Sequence, residues 1–401
     1  MRDPPSRASR AALRFVLLVG ILSLFADSAY EGSRSILGPY LAILDASAAA
    51  IGIIMGLGEL AGYGLRLVSG RWADTTRRFW PITIFGYVLQ MTAVPALALT
   101  GSWPAAAVLI VLERVGKATR SPPRDAMLAH AARHLGGYGK VFGLHEALDQ
   151  LGALGGPLIV AAVLARRADY HRAFAVLLIP AAINIALVLL ARQLYKNPED
   201  LDPAAPRELR TGGLERLYWV YFAGAALVAA GFADYPLIAY HWTRAHVLAS
   251  DWIPIFYSVA MAVSGTGSFL LGRLFDRHGF SVLIVLTGVT AAFAPLVFLG
   301  GFWSALAGAA VWGLGTGVHE SIIPAAVAPI VSAEKRASAF GVFTAGYGLC
   351  WFLGSAAIGI LYERSVWAAL AFCLATQLAA VPLFAWVGRR HPTGKPSPLG
   401  V

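Results

Sequence analysis

Apolar stretches of roughly 20 residues recur along the whole chain, separated by short polar runs. A helix of that length crosses a hydrocarbon core about 30 Å thick. The pattern predicts six helices in the first half, at about 14–38, 47–69, 80–100, 103–128, 139–165 and 170–194. Six more follow, at about 216–243, 250–272, 280–300, 303–331, 337–361 and 365–388. Between the two sets lies the longest polar stretch, 196–215, whose prolines and mixed charge read as a linker. Residues 1–195 and 216–401 are therefore each expected to form a six-helix bundle. The predicted fold is an all-α integral membrane protein with 12 transmembrane helices. Residues 1–14 are basic and proline-containing, like the start of a signal peptide. The apolar run that follows is too long for one and contains Asp27, which predicts an uncleaved first helix.

The two halves echo each other. Gly70-x-x-x-Asp74 returns as Gly272-x-x-x-Asp276 in the corresponding loop, and Phe25-Ala26-Asp27 returns as Phe232-Ala233-Asp234. Gly143, close after Phe142, is matched by Gly341 after Phe340. A six-plus-six repeat about a central linker is a transporter architecture, with the site expected near the bilayer midplane between the repeats.

Composition agrees with a bilayer. The chain is 58% hydrophobic and only 13% charged, against about 25% charged in soluble domains. Its formal charge of +10 would suggest a nucleic-acid partner in a soluble protein. Here 21 of the 32 Lys and Arg fall in alternate segments, starting with the N-terminus, and five (Arg166, Arg167, Arg172, Arg244 and Arg364) fall in the other set. That bias places both termini in the cytoplasm and makes the partner a lipid bilayer, not nucleic acid. The two cysteines, Cys350 and Cys373, lie in apolar segments, so neither a disulfide framework nor a zinc cluster is expected.

Ionisable residues inside spans are costly and point to function. Glu113, Lys117, Arg120 and Arg124 recur every three or four residues in the fourth predicted helix, with Arg114 beside them. His145, Asp149, Gly152 and Gly156 do so in the fifth, and Asp27, Glu31, Arg34 and Gly38 in the first. Glu59 and Arg66 share a stripe of the second. Counting depth from helix ends puts Asp27, Arg114 and Asp149 near the midplane, with Arg114 as the expected partner of either carboxylate. The second half offers Asp234, His319 and Glu320, and Tyr235, Trp242, Trp312, Tyr347 and Trp351 as an apolar substrate wall.

These residues carry a family resemblance that covers nearly the whole chain. Gly70-Arg71-Trp72-Ala73-Asp74-Thr75-Thr76-Arg77-Arg78 resembles the G-x-x-x-D-x-x-G-R loop of the major facilitator superfamily, with Arg77 where glycine is usual. The copy at Gly272–Gly279 keeps the glycine but has Phe280 in place of the arginine. Arg114 resembles the family's helix-four arginine, with Gly116 and Lys117 departing from the usual R-x-x-Q-G spacing. Gly143, Gly152, Gly156 and Pro157 resemble the helix-five signature of proton-coupled antiporters, although Val160 and Ala161 replace its trailing glycines. Asp27, Gly32 and Pro39 resemble the helix-one pattern of drug-efflux members.

The resemblance implies a cytoplasmic gate at Gly70, Asp74, Arg78, Arg124, Gly272 and Asp276, with Asp74 meeting Arg78 or Arg124. It implies proton-coupled export of a small organic molecule, with the proton as coupling ion and no other cofactor. The expected protein is a monomeric multi-pass transporter of the inner membrane, not an enzyme. An importer or exchanger of an anionic metabolite is the alternative, because Arg34, Arg66, Arg114, Lys117 and Arg120 make a basic interior. A non-transporting membrane enzyme or assembly factor lacks support, since no HExxH, Walker loop or GxSxG elbow occurs.

The charge bias makes a direct prediction. In a background lacking Cys350 and Cys373, cysteines placed at Ser102 and Ser250 should react with impermeant thiol reagents added outside intact cells. Cysteines at Thr211 and Ser332 should not, and the reverse pattern would invert the topology.

Overall fold

The computed structural model describes residues 7–132, 135, 138–167, 169–196, 214–331 and 336–390. Most of the expected linker, with Thr211, and Ser332 lie outside the described residues. Among the described residues the secondary structure is entirely helical. The long segments are α1 (Arg7–Arg34), α2 (Ala48–Thr76), α3 (Phe79–Leu99), α4 (Trp103–Ala132), α5 (Tyr138–Arg167) and α6 (Tyr170–Leu194). They continue as α7 (Arg216–Arg244), α8 (Trp252–His278), α9 (Phe280–Leu299), α10 (Phe302–Gly317), α11 (Arg336–Arg364) and α12 (Val366–Arg390).

Ten of these twelve are long and apolar enough to cross a membrane. The other two have physical reasons for falling short. α4 carries Glu113, Arg114, Lys117, Arg120, Arg124 and Asp125 within its length. The α-helical part of α10 stops at Gly317, and the chain continues through a π-helical turn, Val318–Ile322. The expected boundaries hold to within a few residues at most ends; α2 and α8 run on to Thr76 and His278, α10 stops well short of 331, and two further segments are broken. α1 starts at Arg7 and stops at Arg34, so Gly38 falls in a separate short helix, Leu37–Ile43, off the stripe of Asp27. α7 is interrupted between Ala230 and Tyr235, which places Asp234 just ahead of its second half.

The chain divides into two compact units. The first takes the described residues of Met1–Ala46, Leu57–Arg207 and Ala249–Ser258, and the second those of Ser47–Gly56, Glu208–Leu248 and Val259–Val401. Each unit repeats the other's packing. In the first, α1 lies along α5 and α6, and α3 along α4 and α6. In the second, α7 lies along α11 and α12, and α9 along α10 and α12.

The repeat extends to single backbone angles. Asp45 (φ 59°) and His246 (φ 52°) are both left-handed residues that end a helix. In the first turn Ala46 N–H donates to Leu41 C=O at 2.9 Å, and in the second Val247 N–H donates to Trp242 C=O at 2.9 Å. This six-to-one bond is the Schellman closure of a helix end, made twice at equivalent places.

Close approach of α5 to α1 depends on missing side chains. A Cβ on Gly152 would overlap Leu24 C=O, and one on Gly156 would overlap Ser28 C=O. Gly354 of α11 meets Ala230 C=O of α7 in the same way. Small residues let helices pack by close backbone contact where lipid supplies no hydrophobic drive. Gly143, by contrast, has nothing within 4 Å of its would-be Cβ, so helix packing does not require a glycine there.

The loop between α2 and α3 explains its own departure from the family pattern. Arg77, standing where glycine is usual, has φ 53°, and its counterpart Gly279 has φ 57°. The fold demands a left-handed residue at both places, and only glycine takes it without strain. Arg77→Gly should therefore raise the thermal midpoint, by an effect on the order of 1 kcal/mol, while Gly279→Ala should lower it. Opposite shifts in a thermal unfolding series would contradict the assignment of strain.

Candidate functional site

α4 concentrates the ionisable groups, and its neighbours supply a partner for each. α3 reaches it at glycines: a Cβ on Gly86 would lie 2.7 Å from Gly116 C=O, and one on Gly116 would lie 2.7 Å from Gln90 N. That approach sets Gln90 between two charged residues. Its amide Nε2 donates to Glu113 Oε1 at 2.8 Å, and its Oε1 accepts from Arg120 Nε at 2.6 Å.

Arg120 is the most deeply buried of these charges, its side chain 1% exposed. Its Nη1 donates to Tyr87 Oη at 3.1 Å and its Nη2 to Asp27 Oδ1 at 3.4 Å. The guanidinium also lies over the Tyr87 ring, 4.5 Å from its centre, a cation–π contact. One turn toward the start of α4, Lys117 lies 4.0 Å from Glu31 and 3.7 Å above the Tyr30 ring. The other Glu31 oxygen accepts from Tyr257 Oη at 2.5 Å. Arg114 meets Glu59 at 3.0 Å and Glu113 at 3.7 Å, and Arg34 meets the same Glu59 oxygen at 3.3 Å.

A second group lies between α1 and α5. Asp149 Oδ2 is 3.3 Å from His145 Nδ1, and His145 Nε2 is 3.1 Å from Ser23 Oγ. Ser23 also contacts Tyr87 Oη at 3.3 Å and accepts from Arg124 Nη1 at 3.1 Å. Ser23 and Tyr87 therefore join the His145–Asp149 pair to Arg120 and Asp27. The second oxygen of Asp149, Oδ1, is buried without a hydrogen-bond partner.

The pairing differs from the one depth counting predicts. Arg114 is bound by Glu59 and Glu113 and forms no ion pair with Asp149 or Asp27 among the described residues; Asp27 takes Arg120 and Asp149 takes His145. The reason is geometric. α4 has 30 residues, a length of about 45 Å against a core of about 30 Å. The helix overhangs such a core, so counting from its first residue does not fix which charge stands level with α1, and Arg120, six residues past Arg114, is the one that meets Asp27.

Arg66 is exposed and lies over the Tyr63 ring, outside the cluster. At the expected gate, Arg124 is taken by Asp125 at 2.8 Å and by Ser23. Asp74 and Arg78 are exposed and form no ion pair with each other, and Asp74 forms none with Arg124. Asp276 is exposed, Gly272 half-buried, and Gly70 meets Pro122 in ordinary contact.

The aromatic residues expected to form a substrate wall form a packed cluster in the second unit. Trp312 Nε1 donates to Ala233 C=O and Trp242 Nε1 to Val297 C=O, each at 2.9 Å. Tyr235 packs on both indoles. His319 bonds Tyr347 Oη at 2.5 Å, and Asp234 accepts from Trp351 Nε1 at 3.2 Å and Ser355 Oγ at 2.5 Å. All eight of these side chains are buried, whereas Glu320 is exposed. Sequence reading missed Ser23, Tyr30, Tyr87, Gln90 and Tyr257. Gln90 carried a signal, as an amide inside an otherwise apolar helix, but the tyrosines carried none, because Tyr is common in membrane helices.

Comparison with known proteins places this arrangement. The family profile described as Major Facilitator Superfamily matches residues 16–300 and 217–400. An uncharacterized protein of Mycobacterium tuberculosis is 39% identical over 385 residues, covering 94% of this chain and 93% of its own. An uncharacterized MFS-type transporter of Methanocaldococcus jannaschii is 23% identical over 358 residues, covering 87% and 89%. Among solved structures, a bacterial homolog of the human lysosomal transporter Spinster, inward-facing and occupied, aligns with TM-score 0.74 at 16% identity, covering 98% of this chain and 100% of its own. A peptide transporter bound to sulfate aligns with TM-score 0.73 at 14% identity, covering 96% of each chain. At those identities the likeness is one of fold.

Arg120 and Asp27 provide a test of the buried network. Removing one member of a buried ion pair strands the other and costs about 3–5 kcal/mol. Arg120→Met should lower the thermal midpoint strongly, and adding Asp27→Asn should restore part of the loss. Additive effects in that double-mutant cycle would show that the two side chains are not coupled.

Proposed function

The chain belongs to the Major Facilitator Superfamily, and we propose that it is a secondary active transporter that exports small organic molecules in exchange for protons. The observation that carries the reading is the charge balance of the first unit. Among the described residues the ion-paired cations within its long helices are Arg34, Arg114, Lys117, Arg120 and Arg124, while Arg172 pairs with Asp169 at a helix end. The carboxylates of the first five are Asp27, Glu31, Glu59, Glu113 and Asp125. Among the described residues Asp149 is the largely buried carboxylate of these helices that no Arg or Lys takes, Asp74 and Glu146 being exposed. It faces a histidine rather than a guanidinium, and one of its oxygens has no donor. A group in that position can hold a proton without breaking an ion pair.

The reaction cycle follows from alternating access. A proton entering from outside is held by the Asp149–His145 pair while the cavity faces that side. The change of state shifts Arg124 and Arg120 relative to the pair, and a cation moving closer favours the ionised carboxylate, releasing the proton inward. Ser23, bonded to both His145 and Arg124, links proton occupancy to the position of the arginine. Gly152 and Gly156, on the same helix face as Asp149, give α5 a smooth surface on which to slide against α1. Orientation with both termini in the cytoplasm of an inner-membrane protein rests on the loop charge bias.

The anionic-metabolite reading relied on a basic interior. With Arg34, Arg114, Lys117 and Arg120 each beside a carboxylate, that interior is electrically balanced, which favours export of organic molecules without a fixed negative charge.

Asp149→Asn separates coupling from structure. A well-folded variant that still exchanges substrate across proteoliposomes, but neither accumulates it against a gradient nor moves protons, is the expected result. Uphill transport with normal proton flux in both Asp149→Asn and Asp27→Asn would rule out the mechanism.

A further inference from the structure

At the end of the second unit where α7 begins and α12 stops, two arginines lie against one indole. Arg216 is the first residue of α7, and its guanidinium carbon lies 5.9 Å from the Trp386 ring centre. Arg390, the last residue of α12, lies 4.3 Å from the same ring. Arg389 precedes it in sequence, and all three arginines are exposed. None forms an ion pair or hydrogen bond with a carboxylate among the described residues. Glu215, adjacent in sequence, is exposed and caps no backbone amide of α7.

We propose that this end of the second unit is a binding site for the phosphate of an anionic phospholipid headgroup. Two guanidiniums held on one ring repel each other, and an anion shared between them removes that repulsion. Each presents a planar fork of donors that matches phosphate oxygens in pairs. The uncapped first turn of α7 adds backbone N–H groups and the positive end of the helix dipole. Trp386, half-buried, is the residue type that settles at headgroup level. Basic residues beside a membrane span are also where anionic lipid accumulates.

The equivalent end of the first unit serves as an internal control. There the helix ends of α1 and α6 carry Arg10, Arg14 and Arg192. The nearby indole is Trp80, whose Nε1 is already bonded to Tyr195 C=O at 2.7 Å, and no arginine lies over its ring among the described residues. Among the described residues the aromatic platform with paired cations is therefore found in the second unit and not at every basic helix end. The inference does not depend on what the protein transports.

The test uses the purified full-length chain in neutral detergent. Its thermal midpoint is measured with dioleoyl-phosphatidylglycerol, with dioleoyl-phosphatidylcholine and with inorganic phosphate. Phosphatidylglycerol should raise the midpoint by several degrees, and the other two should leave it nearly unchanged. Arg216→Gln/Arg390→Gln should lose roughly half or more of that shift, while Arg166→Gln/Arg167→Gln, at the end of α5, should keep it. If the double variant does not fold, Arg390→Gln alone, at an exposed helix end, should show the same loss in smaller degree. A full phosphatidylglycerol response in the Arg216 and Arg390 variants would overturn the site. An equal response to inorganic phosphate would overturn the lipid assignment.

Discussion

The first unit is organised by the cost of keeping charge inside an apolar layer. A lone Arg or Asp at the centre of a span costs about 2.5–3.5 kcal/mol even on the mildest scale. α4 carries four cations and a carboxylate through that region, and the helices around it are placed so that each finds a partner. α3 contributes Gln90 and Tyr87, α2 contributes Glu59, and α1 contributes Asp27, Glu31 and Ser23. Glycine contacts between α3 and α4 and between α1 and α5 bring these groups within reach, so the packing of small residues and the pairing of charges are one constraint seen from two sides.

The second unit meets the same architectural repeat with different chemistry. Where Asp27 takes an arginine, its counterpart Asp234 takes the N–H of Trp351 and the hydroxyl of Ser355. Where α4 carries charge, α10 carries Trp312 and a π-helical turn with His319. π-helical turns inside helices often mark functional positions because they re-aim side chains. Among the described residues the buried ion pairs thus lie in the first unit, and the buried cluster of indoles around His319 lies in the second.

Coupled movement in such a protein requires elements with two discrete arrangements, and a hydrogen-bond network that changes partners is one. Ser23 is the junction, since its hydroxyl touches His145, Tyr87 and Arg124 at once. The loop of Asp74 makes no such junction among the described residues. Its carboxylate is exposed, near His130, and forms no ion pair with Arg78 or Arg124 among the described residues.

By itself the sequence determined the class of fold. Apolar runs of membrane length, the echo of Gly70–Asp74 in Gly272–Asp276, and the repeated Phe-Ala-Asp are local or periodic features, and they survive without knowledge of any contact. It also singled out Asp27, Glu31, Glu59, Glu113, Arg114, Lys117, Arg120, His145 and Asp149, because an ionisable residue inside an apolar run is conspicuous wherever it points. Only the tertiary structure decided who pairs with whom. Arg114 went to Glu59 and Arg120 to Asp27 because helix length and axial shift set the level of each charge, and neither is written in the spacing along one helix. The left-handed angle of Arg77, the burial of Trp242 and Trp312, and the junction at Ser23 likewise depend on neighbours remote in sequence.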